Sequence, residues 1–275
     1  MKPVNLQAHA PPGTPVRVLQ LSDCHLHEIP GKPLAGLDTL HTLRQVVALA
    51  ATQSPGNDLI LVTGDISHDG HAATYTLARS ELKSLPAPFY GLPGNHDDAS
   101  LLSRHLMGHA DGFPSEIILG DWLILLLDST LPGSPGGHLL EEELLRLDQS
   151  LSRHPDLHVL IALHHQPLPS GCDWLDAMAL NNADELFAVT DRHSNVRAIL
   201  WGHIHQQFEG WRGAVRMMGC PSTCIQFAPG KADFALDDLP PGYRWLELRP
   251  DGGIDSAVVR LPATPGGLDL DSPGY

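Results

Sequence analysis

The sequence predicts a layered α/β fold. Three observations carry that prediction: short β-rich runs alternate with helical patterns, several of those runs are apolar at every position, and polar loops rich in histidine follow directly on them. Runs such as Leu59-Ile60-Leu61-Val62 suit strands buried on both faces, because a half-exposed strand would alternate apolar with polar residues.

Taken in order, the first strand is read at 16–22 and the first helix at 37–51. A strand at 58–63 precedes a helix at 72–85, which must stop before Pro86 because proline lacks the amide that the next turn needs. Strands at 88–92 and 122–128 lead to a helix at 139–153, where Glu142 and Arg146 are spaced as an i,i+4 pair. Strands at 158–163 and 196–201 flank a helix at 183–193, and 215–218 adds a further strand. The runs 243–248 and 254–261 read as a late pair joined by the turn Pro250-Asp251-Gly252-Gly253. No repeat or long polar linker interrupts 16–261, so residues 1–275 are expected to form one domain around one continuous core. Its Pro/Gly-rich ends, up to Pro15 and from Pro262, are expected to be loosely held, and the acidic tail to be solvated.

A chain that is 42% hydrophobic and 18% charged is neither disordered nor fibrous. With 32 acidic against 17 basic side chains, its formal charge of -15 repels polyanions, so neither nucleic acid nor an anionic membrane surface is an expected partner. No run of 18 apolar residues occurs, and prolines interrupt the first fifteen residues where a signal peptide needs an apolar stretch; a cytoplasmic location is expected. Cys24, Cys172, Cys220 and Cys224 form no C-x-x-C pair and read as small buried apolar residues. The 17 histidines, several in tight clusters, point instead to a metal site.

Five clusters follow strand candidates: LQLSDCHLH, LVTGDISHD, GLPGNHDD, ALHHQP and LWGHIH. Binding loops of layered α/β folds lie at such strand ends. Asp23 and His25, two apart, would project to one side by strand alternation while Cys24 points away. Gly64 permits a tight turn that leaves Asp65 at its tip, where two carboxylate oxygens can bridge two cations. Asn95 offers a neutral oxygen and leaves His96 free as an acid or phosphate contact. His203 and His205 repeat the two-apart spacing, and either His164 or His165 can add a nitrogen. Mixed Asp, Asn and His donors suit Mn, Fe or Zn, and their number suffices for two ions.

The ordered series D-x-H, G-D, G-N-H-D, H-H, G-H-x-H resembles that of the calcineurin-like metallophosphoesterase superfamily. The stretches HHQPLPSGCDWLDAMALNNADEL, GHIHQ, PSTCIQF and PGYRWLELRPDG are similar to its bacterial class III cyclic-nucleotide phosphodiesterase branch. That resemblance implies a four-layer α/β/β/α sandwich and a dinuclear centre. Asp23, His25 and His205 would hold one divalent ion, Asn95, His164 and His203 the other, and Asp65 would lie between them, with His165 a structural neighbour. Substrate phosphate would meet His25, Asp65, Asn95, His96 and His205. The run GDISHDGH lacks the Asp-Arg-Gly of the phosphoprotein-phosphatase branch, which disfavours that assignment.

The implied reaction is hydrolysis of 3′,5′-cyclic AMP to 5′-AMP, lowering the level of a second messenger. Two divalent ions about 3.5–4 Å apart can share a hydroxide as nucleophile. His96 would protonate the leaving 3′-oxygen, and Asp97 or Asp69 would orient its ring. Alternatives are a broader phosphodiesterase acting on 2′,3′-cyclic nucleotides, glycerophosphodiesters or lipid pyrophosphates, and a catalytically silent metal-binding scaffold. Trp174 reads as a core or rim residue in preference to a base-stacking one. P-loop, dinucleotide-binding and serine-nucleophile motifs are all absent from the sequence.

Overall fold

A computed structural model of the chain describes residues 4–5, 10–54, 56–108 and 112–274. Over them the strands assemble into two main sheets. One has five strands in the order Ile254–Arg260, Gly242–Leu248, Val16–Leu21, Leu59–Thr63, Phe89–Leu92. The other has seven, in the order Val4–Asn5, Glu116–Leu119, Trp122–Leu126, His158–Ala162, Val196–Trp201, Val215–Gly219, Phe208–Arg212.

Strand residues that are apolar throughout divide by period two between different cores. Val16, Val18, Leu59 and Leu61 face Trp122, Ile124, Leu160 and Leu200 in a layer between the sheets. Their neighbours Leu19, Leu21, Ile60 and Val62 point outward onto helices Thr39–Gln53 and Ala72–Leu82. On the far side Leu123, Leu125, Val159 and Ile161 meet Glu141–Arg153 and Ala183–Thr190. Both faces of both sheets are thus covered, which is the four-layer α/β/β/α sandwich. Its apolar interior forms three clusters where the sequence suggests one, because each sheet separates its own two faces.

Gln20, fully buried, ties the sheets across the middle layer: its amide donates to Thr63 Oγ1 at 3.0 Å and to Trp201 O at 3.1 Å. The expected hairpin closes through Pro250 to Gly253, with Arg249 N donating to Gly253 O at 2.8 Å. Arg146 pairs with Glu143, 2.6 Å away, and not with the expected Glu142. The reason is that Glu143 Oε1 also accepts the Asp128 amide at 2.8 Å, which fixes it beside a guanidinium that donates to Leu126 O. Strands Glu116–Leu119 and Phe208–Arg212 were not expected; the latter is short, lies at a sheet edge and carries Gly210 between the exposed Glu209 and Trp211.

Of the ends, residues 1–3, 6–9 and 275 lie outside the described residues. At the other end Leu268 packs against the outer cluster, and Asp269 N donates to Ala35 O at 2.9 Å. Among the described residues no helix is long and apolar enough to cross a membrane.

Ile124→Ala is expected to remove about 2–5 kcal/mol of stability, the usual cost of emptying a buried aliphatic site, whereas Leu145→Ala, at a position 56% exposed, should cost under about 0.5 kcal/mol. Urea denaturation midpoints of the two variants check this.

Candidate metal centre

All five histidine-bearing clusters leave the C-terminal ends of strands, three from the five-stranded sheet and two from the seven-stranded sheet. The contributing strands run parallel within each sheet, so their loops gather at one edge of the sandwich. Beyond the strands the first two loops stay side by side, with Asp23 N donating to Gly64 O at 3.0 Å and His25 N to Asp65 O at 2.8 Å.

Strand alternation is not what brings Asp23 and His25 together. Both are left-handed, with φ of 55° and 44°, as are Asp65 (48°), His203 (64°) and His205 (49°). Among the described non-glycine residues Ala35 alone shares that conformation. Left-handed backbone costs a residue with a Cβ about 1–3 kcal/mol and concentrates where function over-determines the geometry. Close packing enforces it: a Cβ on Gly94 would collide with the backbone and carboxylate of Asp65, and one on Gly202 with Ser22 and Asp23.

The side chains so aimed converge. Asp65 Oδ2 lies 3.7 Å from His25 Nε2 and 3.3 Å from His164 Nε2, facing both. On one side of it His205 Nε2 is 3.2 Å from His25 Nε2 and 3.5 Å from Asp23 Oδ1. On the other, His164 Nε2 is 3.1 Å from Asn95 Oδ1 and 3.3 Å from His203 Nδ1. Asp23, His25, Asp65, His164, His203 and His205 are buried, while Asn95 and His96 are half-buried at the mouth.

Protons on these rings are placed by their outer partners. His164 Nδ1–H donates to Thr63 O and His205 Nδ1–H to Ile225 O, both at 2.9 Å. In the neutral ring this leaves the Nε2 lone pair facing the cluster, the tautomer a metal ligand needs; without metal, His164 Nε2 also carries a proton, directed at Asp65. Acceptors facing one another at these distances repel unless a proton or cation lies between them. Asp23 Oδ2 and His203 Nε2 are moreover buried with no hydrogen-bond partner among the described residues. This donor set fits divalent cations, and the same residues fall into groups able to hold a metal. Among the described residues no cysteine falls in these groups, and burial pushes the Cys220 and Cys224 thiols up to about 12.

Electrostatics separate the members of the cluster. Burial raises Asp23 to about 7. Burial acts on Asp65 the same way, but the charge on His164 and its neighbours outweighs it and holds that carboxyl well below the usual range. Burial lowers His25 and His203 well below the ordinary imidazole value and takes His165 and His205 down to about 3, so these rings are neutral at pH 7. His164 is the exception: despite burial, Asp65 carries it up to about 9.

The two members of the adjacent pair differ in their contacts, and both fall with His203 in one group able to hold a metal. His165 uses both nitrogens, donating from Nε2 to Pro135 O at 3.2 Å with Nδ1 2.8 Å from Ser129 Oγ. His96 is oriented by a group the sequence did not suggest, the carbonyl of His68, 3.0 Å from its Nδ1. Asp97 instead braces the loops, accepting from the amides of Ile66, Ser67 and Gly94 and from the Tyr75 hydroxyl. His68 was the overlooked member: its ring stacks on His96 with centroids 5.1 Å apart, and its only sequence signal was its place in GDISHD. A cavity of about 470 Å³ opens on Asp65, Asn95, His96, His203 and His205 and extends to Trp174, Phe227 and Phe234, with Gly274 at its rim.

Stability without metal should fall as pH drops from about 6.5 to 4. Six imidazoles (His25, His27, His68, His165, His203 and His205) have folded values below the unfolded one, so over that window the unfolded chain binds more protons and is favoured. Asp23, Asp97, Asp128 and His164, shifted upward, act in the opposite sense but are fewer. Denaturation midpoints of chelator-treated protein across pH check the sign.

Residues 16–207 match the family model of the calcineurin-like phosphoesterases. The chain is 41% identical over 260 residues to the 3′,5′-cyclic adenosine monophosphate phosphodiesterase CpdA of Pseudomonas aeruginosa, covering 94% of this chain and 95% of that one. The CpdA of Escherichia coli is 39% identical over 262 residues, with the same coverage. A 3′,5′-cyclic-nucleotide phosphodiesterase of Nostoc is 37% identical over 90% of this chain and 93% of its own. A dimetal phosphatase from Danio rerio shares the fold, with TM-score 0.62 at 17% identity over 89% of this chain and 98% of that one. On the family model and these relatives at 37–41% identity, the chain belongs to the calcineurin-like phosphoesterase family.

Proposed function

We infer that this protein hydrolyses 3′,5′-cyclic AMP to 5′-AMP at a centre for two divalent cations, acting in the cytoplasm as one domain. The observation that carries the reading is the convergence of seven donor side chains on Asp65 and its neighbours, in a chain that aligns over 94% of its length with a relative named for that activity.

Asp23, His25 and His205 would hold one cation and Asn95, His164 and His203 the other, with Asp65 shared; the position of Asp65 Oδ2 between His25 and His164 supports that division. Nitrogen and oxygen donors without thiolate suit Fe, Mn or Zn. Such cations supply Lewis acidity to phosphoryl oxygens and acidify water at neutral pH. The chain's own part is to place the diester and to handle the proton. Asn95 and His96, half-buried at the mouth, stand where an entering phosphate meets the cluster. As water oxygen bonds to phosphorus, the bond to the 3′-oxygen breaks and that oxygen needs a proton. His96 is the donor we assign. Its Nδ1–H is held by the His68 carbonyl in either protonation state, so the proton free to transfer is the one on Nε2. Its backbone amide donates to Asp65 Oδ1 at 2.9 Å, which links the acid to the shared carboxylate.

Purified protein supplied with Mn or Fe should convert 3′,5′-cyclic AMP to 5′-AMP in a chromatographic assay run beside 3′,5′-cyclic GMP, 2′,3′-cyclic AMP and a phosphomonoester. Asn95→Ala and a chelator should each bring the product to background. His96→Ala should keep its metal content, measured by mass spectrometry, while kcat falls about 10²–10⁴-fold. Survival of 3′,5′-cyclic AMP while another ester is cleaved would reject the substrate and leave the metal chemistry standing.

A further inference from the structure

The cavity has a half that the phosphoryl chemistry leaves unused. Besides Asn95 and His96 it is lined by Trp174, Leu175, Met178, Phe227 and Phe234, a set without a charged side chain. From this juxtaposition the structure assigns Trp174, backed by Phe227 and Phe234, as the surface that takes the purine of the cyclic nucleotide by stacking. The assignment rests on the proposed cyclic-nucleotide hydrolysis and names the residue that sets its base preference.

Three observations support it. The aromatic wall begins at the metal cluster itself: the His205 ring, whose Nε2 faces Asp23 and His25, lies parallel to Phe227 at 4.0 Å and 13°. Trp174 follows one ring further, 4.9 Å from Phe227. In a cyclic nucleotide the phosphate and base are likewise separated by a single ribose, so a phosphate at the cluster carries its base toward this wall.

The orientation of the rings comes second. Trp174 meets Phe227 at 76° and Phe234 at 65°, both edge-to-face. Among the described residues no parallel ring covers the indole, so an offset-stacked base can still be added to it. Its platform is firm: Leu175 beside it is fully buried, and Asp176 accepts from the amides of Ser170 and Gly171 at 2.7 and 3.1 Å.

Third, Trp174 Nε1 is buried without a hydrogen-bond partner among the described residues. A buried indole N–H ordinarily has one. A role confined to packing would be met at least as well by phenylalanine, which has no donor to leave unpaired; what tryptophan adds here is ring area. Stacking on a ring is tolerant of base identity, so this wall should separate purines from pyrimidines more than adenine from guanine.

The test compares 3′,5′-cyclic AMP with methyl riboside 3′,5′-cyclic phosphate, the same cyclic diester without a base. Base–aromatic stacking of about 1–3 kcal/mol predicts that the wild type prefers cyclic AMP about 5- to 150-fold in kcat/KM. Trp174→Ala should collapse that preference toward unity while its kcat/KM on the baseless diester stays within about twofold, and Trp174→Phe should retain most of the preference. The ratio between substrates is independent of the fraction folded, so a poorly folding variant still reports. An unchanged preference in Trp174→Ala, or an equal loss on both substrates, would overturn the assignment. Failure of the wild type to cleave either cyclic phosphate while it cleaves another ester would instead overturn the underlying hydrolase reading, and the assignment with it.

Discussion

Two carboxylates and four imidazoles are withdrawn from water at one edge of this sandwich, and their mutual repulsion constrains the surrounding structure. An ionisable group buried in protein is costly unless a hydrogen bond or opposite charge meets it. Here the outer edges of two rings find backbone carbonyls, Thr63 for His164 and Ile225 for His205, while their inner edges face the cluster. Asp65 is the hinge of the arrangement. Without metal it is held ionised chiefly by a protonated His164, an internal ion pair in the place where cations fit.

That constraint propagates into the backbone. Five of the converging residues are left-handed, and the close approach of Gly94 and Gly202 leaves their partners no room to relax. Asp97 gathers three amides and a tyrosine hydroxyl and so ties the Asp65 loop to the Asn95 loop. Behind them Gln20, Ser22 and Thr63 form a buried hydrogen-bonded seam that locks the two sheets together a few residues from the donors. Gln20 Oε1 is buried without a hydrogen-bond partner among the described residues, so the seam is paired only in part.

Much of this was legible in the sequence because chemistry and position coincide: Asp, Asn and His stand immediately after strands whose apolar runs are unmistakable. Strand boundaries at Val16–Leu21, Leu59–Thr63 and Val196–Trp201 follow from the same runs. What could not be read is what depends on distant partners. His164 and His165 have the same sequence context and separate only through Ser129, Pro135 and Thr63. The hold of the His68 carbonyl on His96 is a backbone contact that no side-chain pattern announces. Alternation offered a plausible route for Asp23 and His25 to share a side, yet the chain reaches that result by left-handed turns, since the strand has already ended. Trp174, Phe227 and Phe234 meet from separate segments, and nothing local marks them as one wall.

The three apolar layers are unequal in what they can tolerate over evolutionary time. Each outer layer joins helices to a sheet, and its side chains can be exchanged for others of similar volume with consequences confined to that face. The middle layer separates the sheet bearing Asp23, Asp65 and Asn95 from the sheet bearing His164 and His203, so its thickness sets how far apart the two donor sets stand. It serves as a spacer between them, so a change of side-chain volume there would alter the distance between the two donor sets. Volume changes are therefore tolerated best on the helices and least at the inward-facing strand positions.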